Sequence, residues 1–210
     1  MRQLIDKILE IKKSNKSRII AKRMSEFNAL GKKPSEELFK ELCFCILTAN
    51  FRADKAIEIQ KEIGQQFLTL PKKALAEKLK KLGCRFHTKK AGYIVEARKH
   101  ASTLGKIWHS FSSGPTAREW FVKNIKGLGY KESSHFLRNV GYTDVAIIDF
   151  HIIDLLARNG LIKKPKTKSL TKKSYLSIEN VLKKLAKRTG MNLGELDLYL
   201  WYIETGKILK

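Results

Sequence analysis

Apolar residues recur every three or four positions along most of the chain, the period of a helix that buries one face. Over residues 2–30 they fall at Leu4, Ile5, Ile8, Leu9 and Ile11, then at Ile19, Ile20, Met24, Phe27 and Leu30, which predicts a helical opening. Gly31-Lys-Lys-Pro34 breaks the pattern. Ser35 is placed to cap a new helix, with Glu36 and Glu37 in its first turn, where acids meet the positive end of the helix dipole. From Leu38 to Leu47 that helix is apolar nearly all round, the mark of a central, buried element. Further helices are predicted over 55–63 (Ala56, Ile57, Ile59 and Ile63 inward), after Pro71 (Leu75, Leu79 and Leu82 inward), and from about 89 to 104.

The second half continues in the same period. Thr116 and Glu119 have capping-box spacing behind Gly114-Pro115, and Trp120, Phe121 and Ile125 then share one face. A turn at Gly127-Leu128-Gly129 leads into a helix carrying Phe136, Leu137 and Val140, which Gly141 closes. Ile152, Ile153, Leu155, Leu156 and Ala157 mark the next helix, stopped at Asn159-Gly160. Residues 163–173 are basic and irregular and read as a surface loop, either an arm for a phosphate backbone or merely solvated. Helices return over 174–189 and from about 192, where Leu193, Leu196, Leu198, Leu200 and Trp201 cluster. No stretch alternates in the manner of a strand, so the class is all-α. With 210 residues the chain can bury a sizeable core, in one unit or two small lobes.

Charge changes the picture most. Against 43 Lys and Arg stand 20 Asp and Glu, a net charge of +23, and the pI is near 10. A thermophile's solvated surface would bring glutamates to match its lysines, and they are missing here. The excess implies a polyanionic partner, nucleic acid above all. A membrane partner is disfavoured, because no run of about 18 apolar residues is present. The start, Met1-Arg-Gln-Leu-Ile-Asp-Lys, lacks a signal-peptide core, so a soluble cytoplasmic protein working at the nucleoid is expected. Cys43, Cys45 and Cys84 are an odd number in mostly apolar company, which suggests reduced, buried thiols. The five histidines show no metal-ligand spacing.

The chemistry concentrates in residues 124–151. Gly127 and Gly129 bracket Leu128, leaving two backbone amides uncovered just ahead of a helix, and bare amides at a helix N-terminus form an anion site. Lys131 is the second residue after Gly129. Asp149 follows eighteen positions later (149 − 131), where it can N-cap the helix that starts at 150.

This stretch resembles the signature of the helix-hairpin-helix DNA glycosylases. Ile125-Lys126-Gly127-Leu128-Gly129-Tyr130-Lys131 is similar to that family's Leu-Pro-Gly-Val-Gly-x-Lys, and Ile148-Asp149-Phe150-His151 to its Val-Asp-x-His. Segments 41–51, 124–142 and 195–210 carry a narrower resemblance, over essentially the whole chain, to the archaeal second class of 8-oxoguanine DNA glycosylase/AP lyases. The resemblance implies a two-lobed all-α fold: residues 1–33 with 142–210 in one lobe, and 34–141 in the other, ending in the hairpin at 124–141. It implies no cofactor and no iron–sulfur cluster, in keeping with the absence of any cysteine after Asp149. Its partner would be double-stranded DNA containing oxidised guanine, met by a monomer.

Site residues follow by the same resemblance. Lys131 would be the nucleophile, and Asp149 the carboxylate that steadies the cationic sugar. Asn50 would enter the gap left by the extruded base, although alone it is equally an ordinary turn residue. Phe86, which with Arg85 lies in an insert after Gly83 that departs from the family, is read from its basic neighbours as a stacking aromatic and would sandwich that base with Trp201, against the plainer reading that both are core. Lys210 would recognise its oxidised edge, with Asp197 as the next candidate. Arg85, Lys126, Gly127, Gly129 and His151 would contact DNA. Phe150 departs from the family, where its position is variable or basic, and no chemical role is expected of it. Two rival readings are a glycosylase for another oxidised base and a non-catalytic hairpin module that grips phosphates without needing Lys131 and Asp149.

Overall fold

The computed structural model describes residues 2–167 and 169–210, and all of its regular elements are helices. The helical opening is two helices, α1 (Arg2–Lys13) and α2 (Lys16–Gly31). The break lies at Ser14, whose hydroxyl donates to Ile11 O (2.7 Å) and accepts from the Lys16 amide (3.2 Å). Such local bonds compete with the helical ladder. Helix α3 (Ser35–Thr48) is capped by Pro34, not by Ser35, whose hydroxyl accepts from the Gly105 amide (3.0 Å).

Then come α4 (Ala53–Ile63), the short α5 (Gln66–Thr69), α6 (Lys72–Lys81) and α7 (His87–Ala97). The single helix expected over 89–104 instead ends at Ala97 and passes through a 3-10 turn, Arg98–His100, into α8 (Leu104–His109). Arg98 marks the change: its guanidinium donates to Phe67 O (2.8 Å) and Leu70 O (2.6 Å), tying this corner to α5.

Helix α9 (Gly114–Asn124) starts one turn earlier than a Thr116 cap would allow. Ser113 stands at its N-cap with its hydroxyl on that of Thr116, and Glu119 is turned away to Tyr130 and Lys172. The chain ends in α10 (Tyr130–Asn139), α11 (Phe150–Arg158), α12 (Lys172–Thr189) and α13 (Leu193–Thr205). In the basic loop before α12, Lys164 pairs with Asp154 (2.6 Å), while Lys168 lies outside the described residues.

Buried apolar side chains form two clusters. The first is built round α3, whose Leu38, Phe39, Leu42, Phe44 and Leu47 are sealed beneath Ile59, Leu79, Ile94, Phe121 and Phe136. The second joins the two ends of the chain: Leu4, Ile8, Ile20 and Phe27 pack with Ile152, Leu156, Leu182, Leu185 and Leu200. Neighbours Val145 and Ala146 enter different clusters, so the irregular segment leading to Asp149 crosses from one core to the other. All three thiols are free and buried. Among the described residues, no helix is long and apolar enough to cross a membrane.

Candidate active site

Helices α9 and α10 form the hairpin. Gly127 has φ +89°, a left-handed conformation that favours glycine, and a Cβ there would come within 2.4 Å of the Tyr93 ring. Gly129 has an ordinary negative φ and serves as the N-cap of α10. The hairpin amides are not as bare as the sequence suggests. The Leu128 amide closes the turn on Ile125 O (3.2 Å), and the Gly129 amide donates to Glu132 Oε2 (3.3 Å). A phosphate seated on Gly129 must therefore displace a carboxylate of the protein itself.

Lys131 sits in the first turn of α10, partly exposed, with Nζ 3.6 Å from Glu132 Oε1. Asp149 caps α11: its Oδ1 accepts from the Ile152 amide (3.0 Å). Burial pushes the Asp149 carboxyl up from its ordinary range. The Ile152 bond and the positive charges of Lys131 and His151 oppose that shift. The lysine and the acid thus belong to one electrostatic site, each at the N-terminal end of its own helix. His151 lies at a tilt against Phe150 (3.9 Å between centroids) and meets Trp201 edge-on (5.0 Å). Trp201 on α13 is half-buried, so its ring is not sealed in the core.

Four other expected residues, Asn50, Arg85, Phe86 and Lys126, lie on connections between helices, with Arg85 and Phe86 just ahead of α7. Phe86 caps that helix in a left-handed conformation (φ +57°), is 51% exposed, and has the Arg85 guanidinium 5.4 Å from its ring. The core alternative for Phe86 is thereby overturned. Asn50 is also left-handed (φ +51°) and exposed at the end of α3. Buried Lys90 holds that end, donating to Leu47 O (2.7 Å) and lying 5.0 Å from the Phe51 ring. Burial lowers the affinity of its amine for a proton. Lys126 is exposed on the hairpin and pairs with Glu96 (3.3 Å).

Lys210 and Asp197 are both committed to partners inside the protein. The Lys210 ammonium donates to Glu41 Oε2 (2.7 Å) and to Gln60, and lies 4.4 Å from the Phe44 ring. Glu41 is buried and also takes Asn139 Nδ2 (2.6 Å) and Gln60 Nε2 (3.0 Å). The Lys210 main chain is a hydrogen-bonding neighbour of buried His135, whose basicity falls through burial. Asp197 faces Arg138 (3.2 Å), and burial, with the nearby Asp149 charge, raises its carboxyl to about 6 against the pull of Arg138.

Glu41, Gln60, His135 and Arg138 were not singled out from the sequence. One of them left a signal: Glu41, with Lys40, interrupts the apolar run from Leu38 to Leu47. Among the described residues no group of three or more His, Cys, Asp or Glu side chains is placed to hold a metal ion.

A helical hairpin with a lysine in the first turn of its second helix, followed by a partly buried aspartate that caps the next helix, on a strongly basic chain, defines a helix-hairpin-helix protein with a candidate glycosylase site. Comparison with known proteins narrows the class. Residues 20–191 match the family described as 8-oxoguanine DNA glycosylase. The chain is 56% identical to the 8-oxoguanine DNA glycosylase/AP lyase of Methanocaldococcus jannaschii, over 99% of each protein. It is 52% identical to the enzyme of the same name from Korarchaeum cryptofilum, over 99% of this chain and 98% of the relative. The crystal structure of the M. jannaschii enzyme in complex with a 15mer DNA containing 8-oxoguanine superimposes with a TM-score of 0.95 at 55% identity, covering 99% of this chain and 100% of that one. The chain belongs to the 8-oxoguanine DNA glycosylase family.

Proposed function

We propose that this protein excises 8-oxoguanine from double-stranded DNA through a lysine nucleophile and then cleaves the abasic strand. The observation that carries the reading is the placement of Lys131 and Asp149 at the heads of α10 and α11, the lysine in the first turn of its helix and the acid capping the other. The basic surface would draw the duplex in, and the hairpin would hold a phosphate beside the lesion. Residues 1–33 with 142–210, and 34–141, would act as two lobes gripping the duplex as a monomer, with Asn50, Arg85 and His151 at its backbone and gap. The damaged nucleotide must leave the stack before its glycosidic bond can be reached. Phe86 and Trp201 would stack on the extruded base.

The neutral Lys131 amine would give its lone pair to the sugar C1′, and the C1′–N9 electron pair would leave with the base, which takes up a proton. Asp149 would offset positive charge on the sugar as that bond lengthens. Opening of the sugar gives an imine on Lys131. Loss of a proton from C2′ then expels the 3′ phosphate and cuts the strand. Lys210 would read the oxidised edge of the base, where 8-oxoguanine carries a donor at N7 and guanine an acceptor. The 56% identity to an enzyme named for both activities supports the reading.

Borohydride trapping on duplexes with different lesions tests it. A covalent complex should form with 8-oxoguanine and abasic duplexes and be weak with oxidised pyrimidines. Equal trapping on a pyrimidine lesion would favour the rival substrate class, and no trapping at all would favour a binding module.

A further inference from the structure

Residues Ala146 to Ile148 belong to no helix on the way to Asp149, and among the described residues no strand lies beside them. Side chains of α12 meet their polar groups instead. Glu179 Oε1 accepts from the Ala146 amide (2.9 Å). The Tyr175 hydroxyl donates to Ala146 O (2.7 Å) and accepts from the Ile148 amide (3.3 Å).

The same Glu179 carboxylate takes both terminal nitrogens of Arg118 on α9, at 2.6 and 2.9 Å. Arg118 Nη1 also donates to Ser134 Oγ (3.1 Å), one turn beyond Lys131 on α10. The guanidinium faces the rings of Tyr130 (5.2 Å) and Tyr175 (5.4 Å). Arg118, Ser134, Tyr175 and Glu179 are each exposed by 2% or less. The segment that delivers Asp149 is thus held by the buried Glu179 carboxylate directly, and the helix that carries Lys131 reaches the same carboxylate through Ser134 and Arg118.

Stability alone is a poor reason for this arrangement. A buried ion pair gives up hydration that its attraction scarcely repays, and apolar packing serves as well. Apolar side chains cannot, however, satisfy the Ala146 and Ile148 backbone groups in a dry interior, and so cannot fix where the segment ends. We propose that Arg118, Glu179 and Tyr175 are positioning residues that set Asp149 against Lys131 for base excision. This rests on the reading that Lys131 and Asp149 carry the chemistry.

The test is a double-mutant cycle in single-turnover excision of 8-oxoguanine from a duplex. Tyr175→Phe removes the hydroxyl and keeps the ring against Arg118. It should slow excision about 10- to 100-fold, the scale of a small misplacement of a reacting group. Affinity for a duplex holding an uncleavable abasic analogue should stay within about twofold, because no DNA contact is lost. In an Asp149→Asn background the same change should alter the rate by less than about twofold, since its effect passes through the carboxylate. Equal slowing in both backgrounds, or none in the parent, overturns the proposal. Should Asp149→Asn alone excise at the parental rate, the catalytic reading itself falls, and this inference with it. If Tyr175→Phe does not fold, Ser134→Ala, which removes one hydroxyl from the same cluster, goes through the same cycle, and the same outcomes support or overturn the proposal.

Discussion

Lys210 and Glu41 are 169 positions apart in sequence, and the lysine ammonium donates to the glutamate across 2.7 Å. Glu41 lies 3% exposed on the central helix and is further held by Asn139 and Gln60. The side chain of Lys210 thus works as an anchor, which leaves its main chain, beside His135, as the part able to meet a base. Deleting Lys210 should lower the ratio of 8-oxoguanine to guanine excision by about tenfold or more, the range a lost polar contact to the distinguishing atom can produce. Affinity for undamaged duplex should hardly change. Single-turnover rates on both substrates check this, and an unchanged ratio would remove Lys210 from recognition.

Lys131→Gln should abolish base release and borohydride trapping while lesion-duplex affinity stays within about threefold, because phosphate contacts position the duplex without the nucleophile. Trapping by the variant at the parental level would refute the assignment of the nucleophile.

Asp149 has two roles that substitution can separate. Asparagine caps a helix about as well as aspartate, so Asp149→Asn should keep the melting temperature, whereas Asp149→Ala should cost about 1 kcal/mol. Both should slow excision by about 100-fold or more, since neither offsets a developing cation. Near-parental turnover by Asp149→Asn would leave the residue as a helix cap only.

Phe86→Ala and Trp201→Ala should each weaken binding of the lesion duplex by about 1–3 kcal/mol, the usual worth of stacking on a base. The two differ in their effect on the fold. Phe86 is half-exposed, so its loss should leave stability intact, while Trp201 also meets His151. Unchanged lesion affinity in Trp201→Ala would make the tryptophan a packing residue.

Asp197 gives a pH dependence whose sign can be worked out. Its folded carboxyl sits at about 6, above the ordinary 3.8. Between those values the folded chain holds a proton that the unfolded chain has lost, so stability falls as pH rises through that window. The full change is on the order of 2–3 kcal/mol at most. Asp197→Asn should flatten this slope in urea denaturation at pH 4.5 and 7. A parallel offset at both pH values would mean that Asp197 does not titrate there.

Much of this architecture is legible in the sequence, for reasons that are local. Helical periodicity marks the apolar faces of α3, α10, α11 and α13, and the glycine hairpin, Lys131 and Asp149 lie in one stretch of 28 residues (124 to 151). What escapes the sequence is tertiary. Arg118 and Glu179 read as surface charges on separate helices, and nothing nearby in the chain shows that they face each other in the core. The break at Ser14 falls in a polar gap, Lys12 to Arg18, that a helix can span and that no proline or glycine punctuates, and the corner at Arg98 is likewise unmarked by proline or glycine. Thr116 and Glu119 show the opposite error, since capping-box spacing is present but Tyr130 and Lys172 hold the glutamate elsewhere.

The core that joins the two ends of the chain has a consequence in time. Leu4 and Ile8 of α1 are buried against residues that a ribosome makes more than a hundred positions later, among them Leu182 and Leu200. The cluster built round α3 has all its members by Val145 and can close while synthesis continues. Helix α1 must wait, with Leu4 and Ile8 uncovered, until α12 and α13 emerge, whereas α2 already has α3 and α10 to pack on. Asp149 follows the first cluster by only a few residues, but the tyrosine and glutamate that hold its segment arrive on α12. Growing chains stalled before residue 170 should therefore protect the α3 cluster from proteolysis and leave α1 open to it.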